Sequence, residues 1–282
     1  QVFKAKTVDP NGIERLVVVK RILPHISSDP EYISMLIDEA KIAVNFNHGN
    51  IAQIYDLGRV GSDYFIAMEY VDGKTIGQIV REFKEREKPI PIEVIAYCIS
   101  ELCWGLDYIH HKKGVDGQDL GVVHRDISPQ NIIVSYSGTV KLIDFGVSKA
   151  MDKLSVTESG VLKGKFAYMS PEQAEGDIID NRSDIFSVGV LLWELLTQER
   201  LFKRKTNQET LKAVKSATFV PPSKYRKDIP ADLERIVEKA LKRRKEQRYH
   251  TAGELAYDLT RFLLKRYPEF KRLDIAEFLY RY

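Results

Sequence analysis

Two cysteines in 282 residues are too few for a disulfide framework. Cys98 and Cys103 lie five apart in a segment that reads as one helix, where side chains at that spacing diverge and cannot be bridged. They are expected to be reduced core thiols of a cytoplasmic protein. No apolar run approaches the roughly 20 residues that would cross a bilayer, so no membrane segment is expected within the chain, and its start shows no secretory signal pattern. Charge of one sign is also missing: 43 lysines and arginines face 40 aspartates and glutamates, and a net +3 gives no reason to expect a nucleic-acid partner. There is no internal repeat and no low-complexity tract, and nothing in the sequence assigns an oligomeric state.

What is present is a chain that is 44% hydrophobic, long enough to bury a core and to form one or two lobes. Residues 1–70 are strand-rich. Apolar runs at 16–19, 51–55 and 64–70 are separated by turn clusters at 9–12 and 61–63, which reads as antiparallel hairpins. One helix interrupts them: Asp29 is placed to cap it, Pro30 suits its first turn, and Ile33, Leu36, Ile37, Ala40 and Val44 form its apolar stripe. After Val71-Asp72-Gly73 the character changes to long amphipathic segments near 92–112, 183–197, 230–242 and 251–265. The boundary is placed at 69–73, and a cleft between two such parts is a usual ligand site. The polar stretch 113–121 reads as a solvent loop.

The most informative run is His124-Arg125-Asp126-Ile127-Ser128-Pro129-Gln130-Asn131. The strand-like Ile132-Ile133-Val134 follows, and after a turn Lys141-Leu142-Ile143-Asp144-Phe145-Gly146. One carboxylate, one amide and a second carboxylate are thereby set on adjacent loops. Phosphoryl transfer from a nucleotide needs a group that orients the attacking hydroxyl and accepts its proton, which suits Asp126. It also needs oxygen donors for hard magnesium ions, which suits Asn131 and Asp144. Any one of these residues alone would be read as a turn or cap; together they point to phosphotransfer.

These runs resemble the catalytic loop H-R-D-x-x-x-x-N and the metal loop D-F-G of the eukaryotic-like Ser/Thr protein kinase superfamily, without a gap and in the same order. The resemblance extends over nearly the whole chain and implies an α+β, bilobal fold: a small antiparallel-sheet N-lobe with one helix over residues 1–71, and a larger, mainly helical C-lobe with a C-terminal helical extension over 72–282. It implies ATP as cofactor with Mg2+, or Mn2+ in its place, and protein substrates. Val17-Val18-Val19-Lys20 corresponds to the family's V-A-I-K strand, so Lys20 is expected to touch the inner phosphates and to pair with Glu39. Val2 and Val18 above and Ile133 below would sandwich the adenine, with Met68 as gatekeeper and backbone groups of Glu69 and Val71 reading the ring edge. Glu172 of Met169-Ser170-Pro171-Glu172 would pair with Arg248, and Asp184 would accept hydrogen bonds from the catalytic-loop backbone; these three are structural.

The sequence also departs from the family pattern. Gln1-Val2 corresponds to the last two positions of G-x-G-x-x-G-x-V, so the glycines of that loop are expected upstream of Gln1. Ser128 stands where Ser/Thr kinases carry a lysine, and Lys165 stands where a threonine follows the glycine of the substrate turn. The two changes look reciprocal, with Lys165 supplying the charge that position 128 does not. Tyrosine specificity is disfavoured, because neither Ser128-Pro129-Gln130 nor Phe166-Ala167-Tyr168 shows that branch's pattern. Ser128-Pro129-Gln130-Asn131 and Ser170-Pro171-Glu172-Gln173 look most like bacterial members. Arg125, next to Asp126, would pair with a phosphate on Thr157, Ser155 or Ser159, with Thr157 favoured. The basic run 239–248 reads as solvation and helix-end charge. Two other classes share the architecture. One is a pseudokinase scaffold that binds nucleotide without efficient catalysis, against which Lys20, Glu39, Asp126, Asn131 and Asp144 all count. The other is a small-molecule kinase, against which the platform ending at Glu172 counts.

Overall fold

The computed structural model describes residues 1–8, 11–22, 30–61, 63–114, 116–144 and 165–282, with the side chains at 30–32, 35, 36, 39 and 165 outside that description. The N-terminal part is a four-stranded antiparallel sheet, β1 (Val2–Val8), β2 (Glu14–Arg21), β3 (Ile54–Val60) and β4 (Asp63–Glu69), in the order β1-β2-β4-β3. Gly12 and Gly61, at φ 81° and 61°, turn its hairpins in a region that costs a residue with a Cβ. The expected 51–55 strand starts late. Tyr55 sits at a register irregularity and is 49% exposed, whereas Ile51 makes a parallel bridge to Leu142. Ala52 N–H donates to Leu142 O at 2.9 Å and Leu142 N–H to Asn50 O at 2.8 Å. That segment therefore ties the sheet to the helical part.

Helix α1 (Pro30–Ala43) lies over this sheet with Ile33, Ala40 and Ala43 buried and Ile37 half-buried. The expected stripe needs one correction. Val44 is 37% exposed, because the helix ends at Ala43 and Ala43, three residues after Ala40, takes the inward position. Leu36's side chain and Asp29 fall outside the described residues.

A second antiparallel sheet, β5 (Gly73–Thr75), β6 (Ile132–Ser135) and β7 (Val140–Leu142), carries the loops of interest at its ends. Around it stand α2 (Ile76–Glu85), α3 (Ile92–His110), α4 (Pro171–Glu175), α5 (Asn181–Thr197), α6 (Asn207–Ser216), α7 (Ala231–Ala240), α8 (Ala252–Arg266) and α9 (Arg272–Arg281). Helices α3 and α5 are apolar nearly all round and form the centre of the core; in α5 every residue from Ser183 to Leu196 is buried. Helix α8 crosses α3 at Gly253, whose N–H donates to Asp107 Oδ1 at 2.7 Å; a Cβ there would stand 2.9 Å from that carboxylate. Cys98 and Cys103 are both free and buried in α3, and burial raises both thiol pKa values, Cys98 to about 12. Both stay protonated and unreactive at neutral pH. The described part of 113–121 is mostly exposed loop. Among the described residues no helix is long and apolar enough to cross a membrane.

Candidate active site

The catalytic-loop segment is held from below by one buried carboxylate. Asp184, in the first turn of α5 and fully buried, accepts from His124 N–H through Oδ2 and from Arg125 N–H through Oδ1, both at 2.8 Å. His110, at the end of α3, places Nε2 2.8 Å from the same Oδ2. Burial alone would raise the pKa of Asp184, but the hydrogen bonds and charge of His110 and the contacts with His124 outweigh it and hold the carboxyl below its ordinary range. His124 is itself buried, which lowers its pKa against the opposing pull of Asp184, Asp126 and Asp144; it accepts the Asp126 N–H on Nδ1 at 3.3 Å. So anchored, Arg125 holds φ 68°, and Asp144 on the neighbouring loop holds φ 62°. A left-handed conformation in a residue with a Cβ costs about 1–3 kcal/mol and persists only where the surroundings impose it. One strained residue is next to Asp126 and the other is Asp144 itself, both among the groups singled out from the sequence.

Asp126, Asn131, Asp144 and Lys20 come together here. Asn131 Nδ2 donates to Asp126 O at 2.9 Å and to Asp126 Oδ2 at 3.1 Å, which turns its Oδ1 away from Asp126. That oxygen accepts no hydrogen bond among the described residues. Ile143 N–H donates to Asn131 O at 2.8 Å, fixing the two loops relative to each other. Lys20 Nζ lies 3.0 Å from Asp144 Oδ1, both side chains being partly exposed. An amide oxygen and a carboxylate are hard donors of the kind a divalent cation such as Mg2+ prefers, so the residues present fit that ion. Glu39 lies on α1, but its side chain falls outside the described residues, as does that of Lys165. The partner described for Lys20 is therefore Asp144. Ser128 is buried in the loop, with its carbonyl accepting from Asn131 N–H at 3.0 Å. Phe145, Gly146, Ser155, Thr157 and Ser159 all lie outside the described residues.

Of the expected adenine contacts, Val2, Val18 and Met68 line one face of the four-stranded sheet, and Ile133 stands on β6 of the other sheet. Opposed residues share a face, and the pairs Val2↔Lys20, Val18↔Met68 and Lys20↔Ile66 put Val2, Val18, Lys20 and Met68 together. Val2 is 66% exposed and Met68 is buried, while Val18 and Ile133 are half-buried. Glu69 is fixed by its side chain, which accepts from Lys141 Nζ at 2.9 Å and from Gln53 N–H at 3.1 Å. The backbone of Val71, between β4 and β5, makes no hydrogen bond among the described residues.

Below the loops, Glu172 of α4 and Arg248 form a buried bidentate pair at 2.7 and 2.8 Å, with Ser183 Oγ–H donating to Glu172 Oε1 at 2.7 Å. The remaining Arg248 donors go to the carbonyls of Lys242, Arg182 and Arg243, so all five guanidinium N–H groups are used. Part of the basic run 239–248 is accordingly structural, not solvating: Arg243 also meets Glu175 at 2.9 Å and Lys245 meets Asp180 at 3.1 Å. Gln173, next to Glu172, donates to Arg125 O at 3.3 Å and connects this platform to the catalytic loop.

Three features were not expected from sequence: His110 on Asp184, Lys141 on Glu69, and a cluster in which Tyr168 O–H donates to Glu194 Oε2 at 2.7 Å and Arg200 donates to Tyr168 Oη at 2.9 Å. Burial raises the pKa of Glu194, with Arg200 and Tyr168 opposing that only in part. Glu194 alone carried a signal, as the one charged residue in the apolar run 185–196. The other two join residues 74 and 72 positions apart.

Residues 1–258 match the protein kinase domain family. The chain belongs to the protein kinase family. Its relatives include a tyrosine-protein kinase, MasK, of Myxococcus xanthus, 39% identical over 279 residues, 99% of this chain and 43% of that protein. They also include the serine/threonine-protein kinase PknB of Mycobacterium tuberculosis, 36% identical over 255 residues, 88% of this chain and 39% of that protein. The chain thus spans about two fifths of the length of these relatives. The fold is that of the crystal structure of the Mycobacterium tuberculosis PknI kinase domain, at TM-score 0.68 and 22% identity over 92% of this chain and 90% of that one. Membership of the family carries the use of ATP and a divalent metal with it.

Proposed function

We propose that this kinase domain transfers the γ-phosphoryl group of ATP to serine and threonine hydroxyls of protein substrates. The observation that carries the reading is the convergence of Asp126 and Asn131 on a loop held by Asp184, Asp144 on the loop tied to it through Ile143, and Lys20 of β2. Asp126 orients the incoming hydroxyl and accepts its proton as the oxygen attacks. Asn131 Oδ1 and the Asp144 carboxylate would hold the divalent ion, Mg2+ in preference to Mn2+. When bound, such an ion neutralises charge on the phosphate oxygens. Lys20 directs its ammonium to the inner phosphates. Val2, Val18, Met68, Ile133 and the backbone at Glu69 and Val71 receive the adenine. Residues 1–71 and 72–282 act as the two lobes of this cleft, in a cytoplasmic protein, and Arg125 reads a phosphate on Ser155, Thr157 or Ser159 as the activating signal.

The test is incubation with γ-labelled ATP, Mg2+ and a generic protein substrate, followed by phosphoamino-acid analysis. Phosphoserine and phosphothreonine are expected. Phosphotyrosine alone would replace the reading with the one that MasK's name suggests. Nucleotide binding with no incorporation into protein would make the domain a pseudokinase scaffold.

The exchange at positions 128 and 165 gives a separate prediction. If Lys165 supplies the cation that Ser128 does not, Lys165→Ala lowers kcat by roughly 10-fold or more, as loss of one group that stabilises developing charge does, and Ser128→Lys in that background restores part of it. Unchanged turnover in Lys165→Ala would reassign Lys165 to contact with the peptide.

A further inference from the structure

Helix α9 begins past residue 258, where the family match ends, yet it is packed as firmly as a core helix. Ile275 is fully buried, and Phe278 and Leu279 nearly so. Phe278 stacks on Phe83 of α2 at 5.2 Å between ring centroids, and Tyr282 closes on the same ring at 4.9 Å. Arg86, the residue that caps α2, donates to Tyr282 O at 2.8 Å. At its other face α9 covers the turn between β6 and β7. Gly138, at φ 79°, lies so close under Arg272 that a Cβ would stand 2.2 Å from Arg272 O, and Tyr136 in that turn stacks on Tyr280 at 5.3 Å with the rings 28° from parallel.

Both elements under α9 lead straight to the nucleotide end of the cleft. Tyr136 N–H donates to Asp72 O at 2.9 Å, one residue after Val71. Ser135 pairs with Gly73 in a register so tight that a Cβ on Gly73 would stand 2.1 Å from Val134 O, and the same strand carries Ile133. Helix α2 starts directly after β5, and its Gly77 N–H donates to Pro129 O of the catalytic loop at 2.9 Å. The segment from Val71 to Gly77, which joins the two sheets, is therefore flanked by two elements that α9 contacts, the β6–β7 turn through an aromatic stack and α2 through an apolar seat.

We infer that α9 braces the adenine-binding end of the cleft, with Tyr280 and Tyr136 as positioning residues for ATP. Neither side chain is proposed to touch the nucleotide. They fix Asp72, and through it the backbone of Val71, and they fix the strand that presents Ile133. The inference rests on the kinase reading above, and loss of the brace should weaken ATP selectively, because the catalytic loop is anchored from the other side by Asp184 and the Asp144 loop is tied to it through Ile143 N–H on Asn131 O.

The test varies ATP in steady-state kinetics and measures ATP affinity directly by calorimetry, for wild type, Tyr280→Ala, Tyr280→Phe and Gly138→Ala. Tyr280 is 75% exposed, so its truncation leaves the fold standing. In Tyr280→Ala, KM and Kd for ATP should rise together by roughly three- to tenfold, the worth of one aromatic stack, with kcat within about twofold of wild type and KM for the protein substrate unmoved. Tyr280→Phe should restore both constants, and Gly138→Ala, which forces α9 off the turn, should reproduce the Tyr280→Ala defect. A lower melting temperature with unchanged ATP constants in Tyr280→Ala makes the helix a stabilising cap only and overturns the inference, as does full wild-type affinity. Failure of wild type itself to bind ATP overturns the kinase reading and this inference with it. Normal wild-type affinity with an unaffected variant overturns this inference alone.

Discussion

Asp126→Asn lowers the rate of phosphoryl transfer to protein by roughly 10²–10⁴-fold, the range lost when a positioned general base is removed. The substitution is nearly isosteric. Asn131 Nδ2 keeps its bond to the backbone carbonyl of residue 126 at 2.9 Å, and an asparagine oxygen can still take the 3.1 Å contact now made by Asp126 Oδ2. The loop itself hangs from Asp184 through the N–H groups of His124 and Arg125, which the substitution does not touch. Melting temperature and ATP affinity should therefore stay near wild type while kcat falls, the pattern of an interaction made in the transition state and not in the ground state. Single-turnover incorporation of labelled phosphate, measured beside ATP binding, checks this. Retention of more than about a tenth of wild-type turnover would show that Asp126 does not act as the base. A parallel loss of ATP binding would show that the substitution had disturbed Asn131 and, with it, the cation site.

How the sequence revealed this site follows from where its parts lie. Asp126 and Asn131 are five residues apart in one loop, and Asp144 is set by a short strand, a turn and another short strand, so their mutual placement is a local property that spacing encodes. Lys20 is legible through the match of its strand to the family's V-A-I-K pattern, and Asp184, Glu172 and Arg248 likewise only because the family pattern supplies their partners. Local rules gave the helices at 92–110 and 252–266 closely, since burial on one face imposes a 3.6-residue period. They failed at Val44 and Tyr55. At Val44 the end of a helix is decided by which residue meets the sheet, and at Tyr55 a register irregularity turns the side chain outward. No period foretells His110 on Asp184, Lys141 on Glu69 or Tyr280 on Tyr136, because each joins distant segments by packing. Tertiary contacts between polar groups are the part of a fold that a single chain's pattern hides.

Arg248→Ala is expected to produce the largest loss of stability of any substitution considered. Arg248 is 1% exposed, and its removal strands the Glu172 carboxylate, itself 7% exposed, without its cationic partner, leaving it Ser183 Oγ–H and its own backbone N–H as donors. Breaking a buried pair from one side costs about 3–5 kcal/mol. In a domain of this size that is a fall in melting temperature of roughly 6–10 °C. The three carbonyls of Lys242, Arg182 and Arg243 lose their donor as well, and the Phe186 ring, 4.8 Å from the guanidinium carbon, loses its cover. The pH dependence separates the charge from the packing. Burial would raise the pKa of Glu172, but hydrogen bonds and charge from Arg248, aided by Ser183, hold it below its ordinary value. A carboxyl depressed in the folded state contributes stability above its unfolded pKa, about 4.3, and that contribution is lost as pH falls through the lower folded value. Without Arg248 burial dominates, the folded pKa rises above the unfolded one, and protonation then relieves the variant instead of harming it. The difference in unfolding free energy between wild type and Arg248→Ala should accordingly shrink as pH drops from 7 toward about 4. Glu172→Gln with Arg248→Met, which removes both charges and keeps most of the volume, should recover a large part of the loss at pH 7. A difference independent of pH, with no recovery in the double variant, would mean that Arg248 acts through its packing and its carbonyl contacts and not through the pair.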